Sequence, residues 1–597
     1  MKSIFLRIKC VLTIQVVDFY TSTFFLNFVG MTKMNRLKML GFDLGDHNFK
    51  ISTKSKKAQT LFDLGLNWCF AFNHDEGLAC FKEALREDPE CAMLYWGIAY
   101  AAGPFYNMPW CDFSEEEAIY CTAFCRQNLN QALYFANQAS ALEEKLIWAL
   151  SQRVQKPKAV SQTEFNKWDD AYANAMRVVN SKFPRNLDVM ALTIEAMMTR
   201  TPWKMWDVKT GLVTENADTL EAIALCKEAI ALADANGQKQ HPAILHLHIH
   251  LIEMSNQPED AMESADRLRN MCPDAGHIHH MPGHIYVLCG QYEKAKKTSE
   301  KAIQVNRKYL AYAGPYNYYT IHRCHDLHLM MYACMLLGQF KPTIAAAEEI
   351  CENLTPDVIN LKGKPFIAGS LEGYFAMKAH ALVRFGKWED IIEEPIPEDR
   401  QLYCVSTAML HYSKVVAYAA LKQFEAAEKE KQNFYSSLKN INPGRKIFNN
   451  LAIDILGVGE MMLLGELEYH KGNYEVAFGF LRESVKRSDN LNYSEPWPWM
   501  HPPRHALGAL LLEQQHFEEA ESVYRADLGM SNDVYRCAQH KNNVWALHGL
   551  VECRKHSKAD EELQKLSIRL EQALSKTDFE ITSSCCCRMS PPEQPLL

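Results

Sequence analysis

Apolar residues recur along this chain at helical spacing, and no segment sustains the two-residue alternation of a half-buried strand. The pattern predicts an all-α protein. Within residues 245–303 it also repeats itself at a distance of 34 residues. Ala261 in DAMESADRL and Ala295 in EKAKKTSEKA take the same slot, as do His246 and His280, and His250 and His284. Small residues at fixed offsets in a period of this length mark helical hairpins that bury their apolar faces only by stacking on their neighbours.

Turn signals divide the rest of the chain into similar units. GQY at 290–292, GQF at 338–340, GKW at 386–388, KQF at 422–424, GNY at 472–474 and QHF at 515–517 each put an aromatic residue after a turn. Each is expected to be the corner between the two helices of a unit. Their separations of 48, 48, 36, 50 and 43 residues imply longer helices or loops than a minimal repeat needs. Ser114 with Glu117, and Ser140 with Glu143, have capping-box spacing and predict helix starts. QKPKAVSQT at 155–163 reads as a linker before a helix over roughly 164–182. The expectation is a right-handed α–α superhelix of about ten hairpins over residues 47–575, with a leader at 1–46 and a disordered Ser/Pro-rich tail at 576–597.

At 597 residues the chain exceeds one compact core unless repeats extend it in one dimension. Its 48% hydrophobic and 23% charged content fits a well-packed protein, and a net charge of −8 without basic runs predicts no nucleic-acid partner. The nineteen cysteines are scattered, with no CxxC pairs, as expected for reduced cytoplasmic thiols. The leader carries Lys2, Arg7 and Lys9 ahead of apolar segments broken by Asp18, too short to span a membrane. It reads as a loosely attached segment, a targeting address, or sequence upstream of a start at Met31, Met34 or Met39.

The candidate chemistry lies in histidines. Eleven of the twenty-two fall between residues 241 and 328. His246, His250 and Glu253 are spaced i, i+4, i+7 and form one helical stripe. His280 and His284 take the same two positions one unit later. Counting back from Gly338 places His328 and Tyr332 there in the third unit, with His325 one turn earlier. Three readings follow: packing histidines, a groove for an acidic peptide or a pH-responsive surface, and a transition-metal site. Imidazole with carboxylate suits Zn, Fe, Mn or Ni, with His246, His250, His280, His284 and His328 as ligands. An open coordination position would allow hydrolysis, with Glu253 as ligand or base. Pro282 should kink or restart its helix, which leaves His280 either in a loop or turned by the kink. SEPWPWMHPPRHALG at 494–508 reads as a packing plug between units. Phosphate-binding, GxSxG and HExxH motifs are absent from the sequence.

Residues 61–89, LFDLGLNWCFAFNHDEGLACFKEALREDP, resemble a tetratricopeptide repeat. Leu64 and Gly65 hold the helix crossing, Trp68 the aromatic position, Gly77, Phe81 and Ala84 the second helix, and Pro89 the end. With YWGIAYAAGP, HLHIHLIE and HMPGHIY, the chain looks like a long, histidine-containing tetratricopeptide subfamily to which the resemblance attaches no activity. It is more distantly similar to the tetratricopeptide repeat protein 38 group. The resemblance implies an intracellular, non-enzymatic scaffold that holds a protein or peptide in a concave groove. That groove would be lined by His246, His250, Glu253, His280, His284, His325, His328 and Tyr332. Histidines stand where chaperone-binding members carry a Lys/Asn/Arg clamp, so chaperone-tail binding is not implied. A metal-binding, possibly hydrolytic, protein on the same scaffold is the alternative.

Overall fold

The computed structural model describes residues 39–360, 365–556 and 561–589. They form an all-α solenoid. The first part contains α1 (Lys56–Phe70), α2 (His74–Glu87), α3 (Ala92–Ala102), α4 (Glu115–Phe135), α5 (Ala141–Arg153), α6 (Gln162–Lys182), α7 (Leu187–Met198) and α8 (Thr219–Ala235). The centre contains α9 (Pro242–Glu253), α10 (Met262–Leu268), α11 (Gly276–His280), α12 (Pro282–Leu288), α13 (Tyr292–Ala313), α14 (Tyr319–Leu337) and α15 (Phe340–Asn353). Helices continue to the C-terminal end, where α16 (Val544–Lys555) and α17 (Glu561–Leu574) are the last. Two two-residue ribbons, Trp206–Asp207 with Leu212–Val213 and Lys446–Ile447 with Asn450–Leu451, are the only strands among the described residues.

Local signals account for the helix ends. Tyr292, Phe340, Trp388, Phe424, Tyr474 and Phe517 each open a helix. Two residues before each, the chain is left-handed, with φ of 69°, 72°, 60° and 88° at Gly290, Gly338, Gly386 and Gly472, and of 58° and 63° at Lys422 and Gln515. Glycine reverses the chain there without a Cβ clash, so the turn-then-aromatic pattern has a steric basis. Both capping boxes form, at Ser114 and Ser140. In the first hairpin a Cβ on Gly77 would lie 2.5 Å from Cys69 Sγ and 2.8 Å from the Gly65 carbonyl oxygen, which is why small residues occupy the crossing.

The superhelix does not leave its hollow open. The segment from Met39 enters it, with Met39, Phe42 and Leu44 buried. Phe42 meets Trp68, Tyr309 and Tyr312 edge-on, tying the first hairpin to α13. From the other end, α16 packs on α14, and Trp545 donates to the Met335 carbonyl at 2.6 Å. Arg536 reaches the Leu288 carbonyl at 2.7 Å and Glu259 at 2.6 Å. The remainder of the leader, residues 1–38, lies outside the described residues.

The tail departs from the expected disorder as far as residue 589. Asp578 accepts from the backbone N–H groups of Phe340 and Lys341 and so caps α15 from outside its own unit. Ser584 offers its carbonyl to Arg384 at 2.6 Å, and Cys587, joined to Cys585 by a disulfide, is fully buried. Helical periodicity cannot register a strap whose few apolar residues dock onto a surface made by distant units.

Candidate metal centre

Three elements of the central units turn histidines toward one place. In α9, His241 caps the helix by accepting from the Ala243 N–H, and Pro242 occupies the first turn. His246, His250 and Glu253 then line one stripe and are fully buried. The hydrogen-bond ladder of the following rod breaks at Met281, between α11 and α12, because Pro282 has no N–H to continue it. The backbone at Met281 stays helical, and His280 faces inward with its Nε2 2.6 Å from His284 Nε2. In α14, His322 and His325 face the same space, with ring centroids 4.6 Å from His277 and 4.3 Å from His280 respectively.

Three of these rings, His246, His250 and His284, are anchored at Nδ1. His246 donates Nδ1–H to the Phe70 carbonyl at 2.8 Å. One carboxylate, Glu253, takes His250 Nδ1–H on Oε1 at 2.7 Å and His284 Nδ1–H on Oε2 at 2.6 Å. His280 Nδ1 lies 3.0 Å from Asp326 Oδ1. An imidazole that donates from Nδ1 presents a lone pair at Nε2. His246 Nε2 meets His277 Nε2 at 3.1 Å, and the buried His250 Nε2 has no hydrogen-bond partner. The donor atoms of His246, His250 and His277 lie within 4.8 Å of one another, as do those of His280, His284 and His325. His250, Glu253, His284 and Glu495 form a further such group. Rings of Phe72, Tyr106 and Trp203 wall the site around His250.

The electrostatics call for positive charge at one point. Burial pushes His246, His277, His280 and His325 well below the usual imidazole range, and His250 and His322 down to about 3. Burial also opposes charge on His284, but Glu495 and Glu253 outweigh it and push this ring up to about 10. Burial and the neighbouring Glu253 push Glu495 up to about 7. With Nδ1 of His284 committed to Glu253, a cation at its Nε2 relieves the confrontation with His280. A proton can serve there, but it satisfies one nitrogen pair only. A metal ion satisfies three at once.

His246, His250, Glu253, His280, His284 and His325 thus come together as the spacing predicted. Two predicted residues do not join them. His328 stacks on Phe448 at 5.3 Å with both ring nitrogens unpartnered, so it is withdrawn from the ligand set. Counting back from Gly338 therefore does not find the residues of α14 that face the cluster, which are His322 and His325. Tyr332 instead lines a cavity of about 20 Å³ with His284 and Glu495, room for about one water. The open groove expected at these positions is also corrected: all eight residues are buried except the half-buried His325, because Phe72, Tyr106, Trp203 and the loop carrying Glu495 pack over them. His277 and His322 escaped the sequence reading although they precede His280 and His325 by one helical step of three. Glu495 escaped because its loop reads as a plug. The loop is a plug, and it carries a carboxylate into the histidines.

Residues 277–309 match the tetratricopeptide repeat family model. No curated protein sequence matches the chain. Among solved structures, the human IFIT1 dimer with m7Gppp-AAAA is 12% identical, with 91% of this chain and 94% of that chain covered and a TM-score of 0.30. The Cut9–Hcn1 hetero-tetramer of APC/C is 12% identical, with 87% and 76% covered and a TM-score of 0.28. Yeast Tom70 is 11% identical, with 88% and 90% covered and a TM-score of 0.24. At these TM-scores nothing about ligands or partners is carried across. The matched window holds His277, His280 and His284, and the chain around it is an all-helical array.

Proposed function

We propose that this chain is a metalloprotein whose helical-repeat scaffold encloses a transition-metal centre in the histidine chamber. One observation carries the reading. Buried imidazoles from α9, α11, α12 and α14 converge, and three of them, His246, His250 and His284, are fixed at Nδ1 by the Phe70 carbonyl or by Glu253. Outer-shell carboxylates and carbonyls that set the tautomer in this way accompany metal-ligating histidines. Ligands around one ion at about 2.1 Å sit within about 4.2 Å of each other, so small side-chain rotations close the 4.8 Å sets. Imidazole with carboxylate suits Zn, Fe, Mn or Ni. A bound ion supplies Lewis acidity, and the chain's own part is to fix the tautomers and exclude water.

The repeat fold also supports a scaffold that binds another protein. Any such partner engages a surface other than the enclosed histidines. Among the described residues no helix is long and apolar enough to cross a membrane.

Elemental analysis of full-length protein purified without an affinity tag tests the metal reading. At least about one equivalent of a transition metal is expected, as isolated or after reconstitution. Less than about a tenth of an equivalent after loading with Zn, Fe, Mn and Ni in turn overturns it.

A further inference from the structure

We infer that the chamber is built for two metal ions, one in each of two three-histidine sets that share no ligand. The inference rests on the metal reading above. His246 and His250 of α9 join His277 of α11 in the first set. His280 of α11, His284 of α12 and His325 of α14 make the second.

The sets are neighbours and do not merge. Ring centroids within them are as close as 4.9 Å for His246 and His277, and 4.3 Å for His280 and His325. Ring spacing alone does not part them, since His277–His280 at 6.0 Å and His250–His284 at 5.9 Å are no wider than His250–His277 at 6.4 Å within the first set. The three donor atoms of each set lie within 4.8 Å of one another, and no such group holds all six. Six imidazoles around one ion would have to bring all six donor atoms within about 4.4 Å. His277 and His280 leave α11 at three-residue spacing toward different partners, His246 at 3.1 Å and His284 at 2.6 Å.

Glu253 couples the two. Its Oε1 fixes a ligand of the first set, His250, and its Oε2 fixes a ligand of the second, His284. One carboxylate therefore sets the tautomer of a ring in each set. The charges also permit two ions. Six neutral imidazoles bring none, and the fully buried Glu253 and Asp326 with the nearly buried Glu495 bring up to three negative charges. Against these carboxylates two divalent ions leave no larger a charge imbalance than one does, so the chamber accommodates two as readily as one where uncompensated charge is costly.

Titration of metal-free full-length protein with Co(II) tests the inference, read by visible d–d absorbance and by elemental analysis after gel filtration. Saturation at two equivalents is expected. The paired substitutions His246→Gln/His277→Gln and His280→Gln/His325→Gln should each leave one equivalent and remove a different part of the spectrum. The wild-type stoichiometry needs no variant to fold. Saturation at one equivalent overturns the two-ion inference and leaves the metal reading standing. So does a single ion kept by both paired variants and lost in Glu495→Gln, which would place it among His250, Glu253, His284 and Glu495. No bound cobalt overturns both.

Discussion

Two clusters of buried histidines, the central one and one in the C-terminal half, differ in how their rings are partnered, and of these two only the central one looks like a ligand set. In the C-terminal half, His380 Nδ1 meets His501 Nδ1 at 3.1 Å and His501 Nε2 meets the Tyr412 hydroxyl at 3.2 Å. Asp527 accepts from His505 at 2.9 Å, from His540 at 2.8 Å and from Asn543 at 2.9 Å, while Arg384 donates to His505 at 2.9 Å. Burial lowers His380 to about 3 and His505 to about 4, much as it lowers the central rings. Neither burial nor a depressed pKa therefore distinguishes a ligand from a packing histidine. Direction does. Around Asp527 the rings point at an acid that satisfies them, whereas in the centre the acids stand behind the rings and the lone pairs face one another.

Chelation should separate the two regions most strongly. If the centre holds its ion at about a thousand times the dissociation constant, stripping it removes about 4 kcal/mol of stability. Thermal unfolding with and without phenanthroline or EDTA checks this, and an unchanged midpoint would place the central rings in the same packing class as His505. Next in size is Glu253→Gln. It keeps the shape and removes the shared acceptor, so metal affinity should fall about 10–100-fold, measured by competition with a chromophoric chelator. His505→Gln should do the reverse: a loss of about 2 kcal/mol from the bond to a buried charge, with metal content unchanged. Loss of metal in His505→Gln would erase the distinction.

The smallest effect is a pH slope from the C-terminal half. Burial pushes the carboxyl of Glu466 up to about 8, against the lowering influence of Arg384. A raised folded-state pKa means the folded protein holds a proton that the unfolded chain has lost. This contribution is complete below about pH 4.5 and disappears as pH rises through about 8, at no more than about 1.4 kcal/mol per pH unit. Glu466→Gln should flatten that slope in urea midpoints collected from pH 5 to 8 and leave the metal equivalence intact.

The array was legible in the sequence because its signals are local. A left-handed residue two places before an aromatic helix start leaves a trace in Gly290, Gly338, Gly386 and Gly472. The stripe His246, His250, Glu253 follows from helical geometry alone. Closure of the hollow was not legible. It depends on Phe42 meeting Tyr309, on Trp545 reaching Met335 and on Glu495 entering beside His284, and these partners are about 210 to 270 residues apart. No periodicity encodes a contact of that range. His328 faces Phe448 instead, because a register counted from turn glycines assumes that successive units present the same positions inward, and α14 turns His322 and His325 there.

Crystal diffraction recorded on both sides of the absorption edge of the metal found in the protein tests the central claim most directly. The account predicts an anomalous peak bounded by Nε2 of His284 and the rings of His280 and His325, and a second peak among His246, His250 and His277. Anomalous density confined to the surface, or none within the chamber of a fully metallated protein, would contradict it.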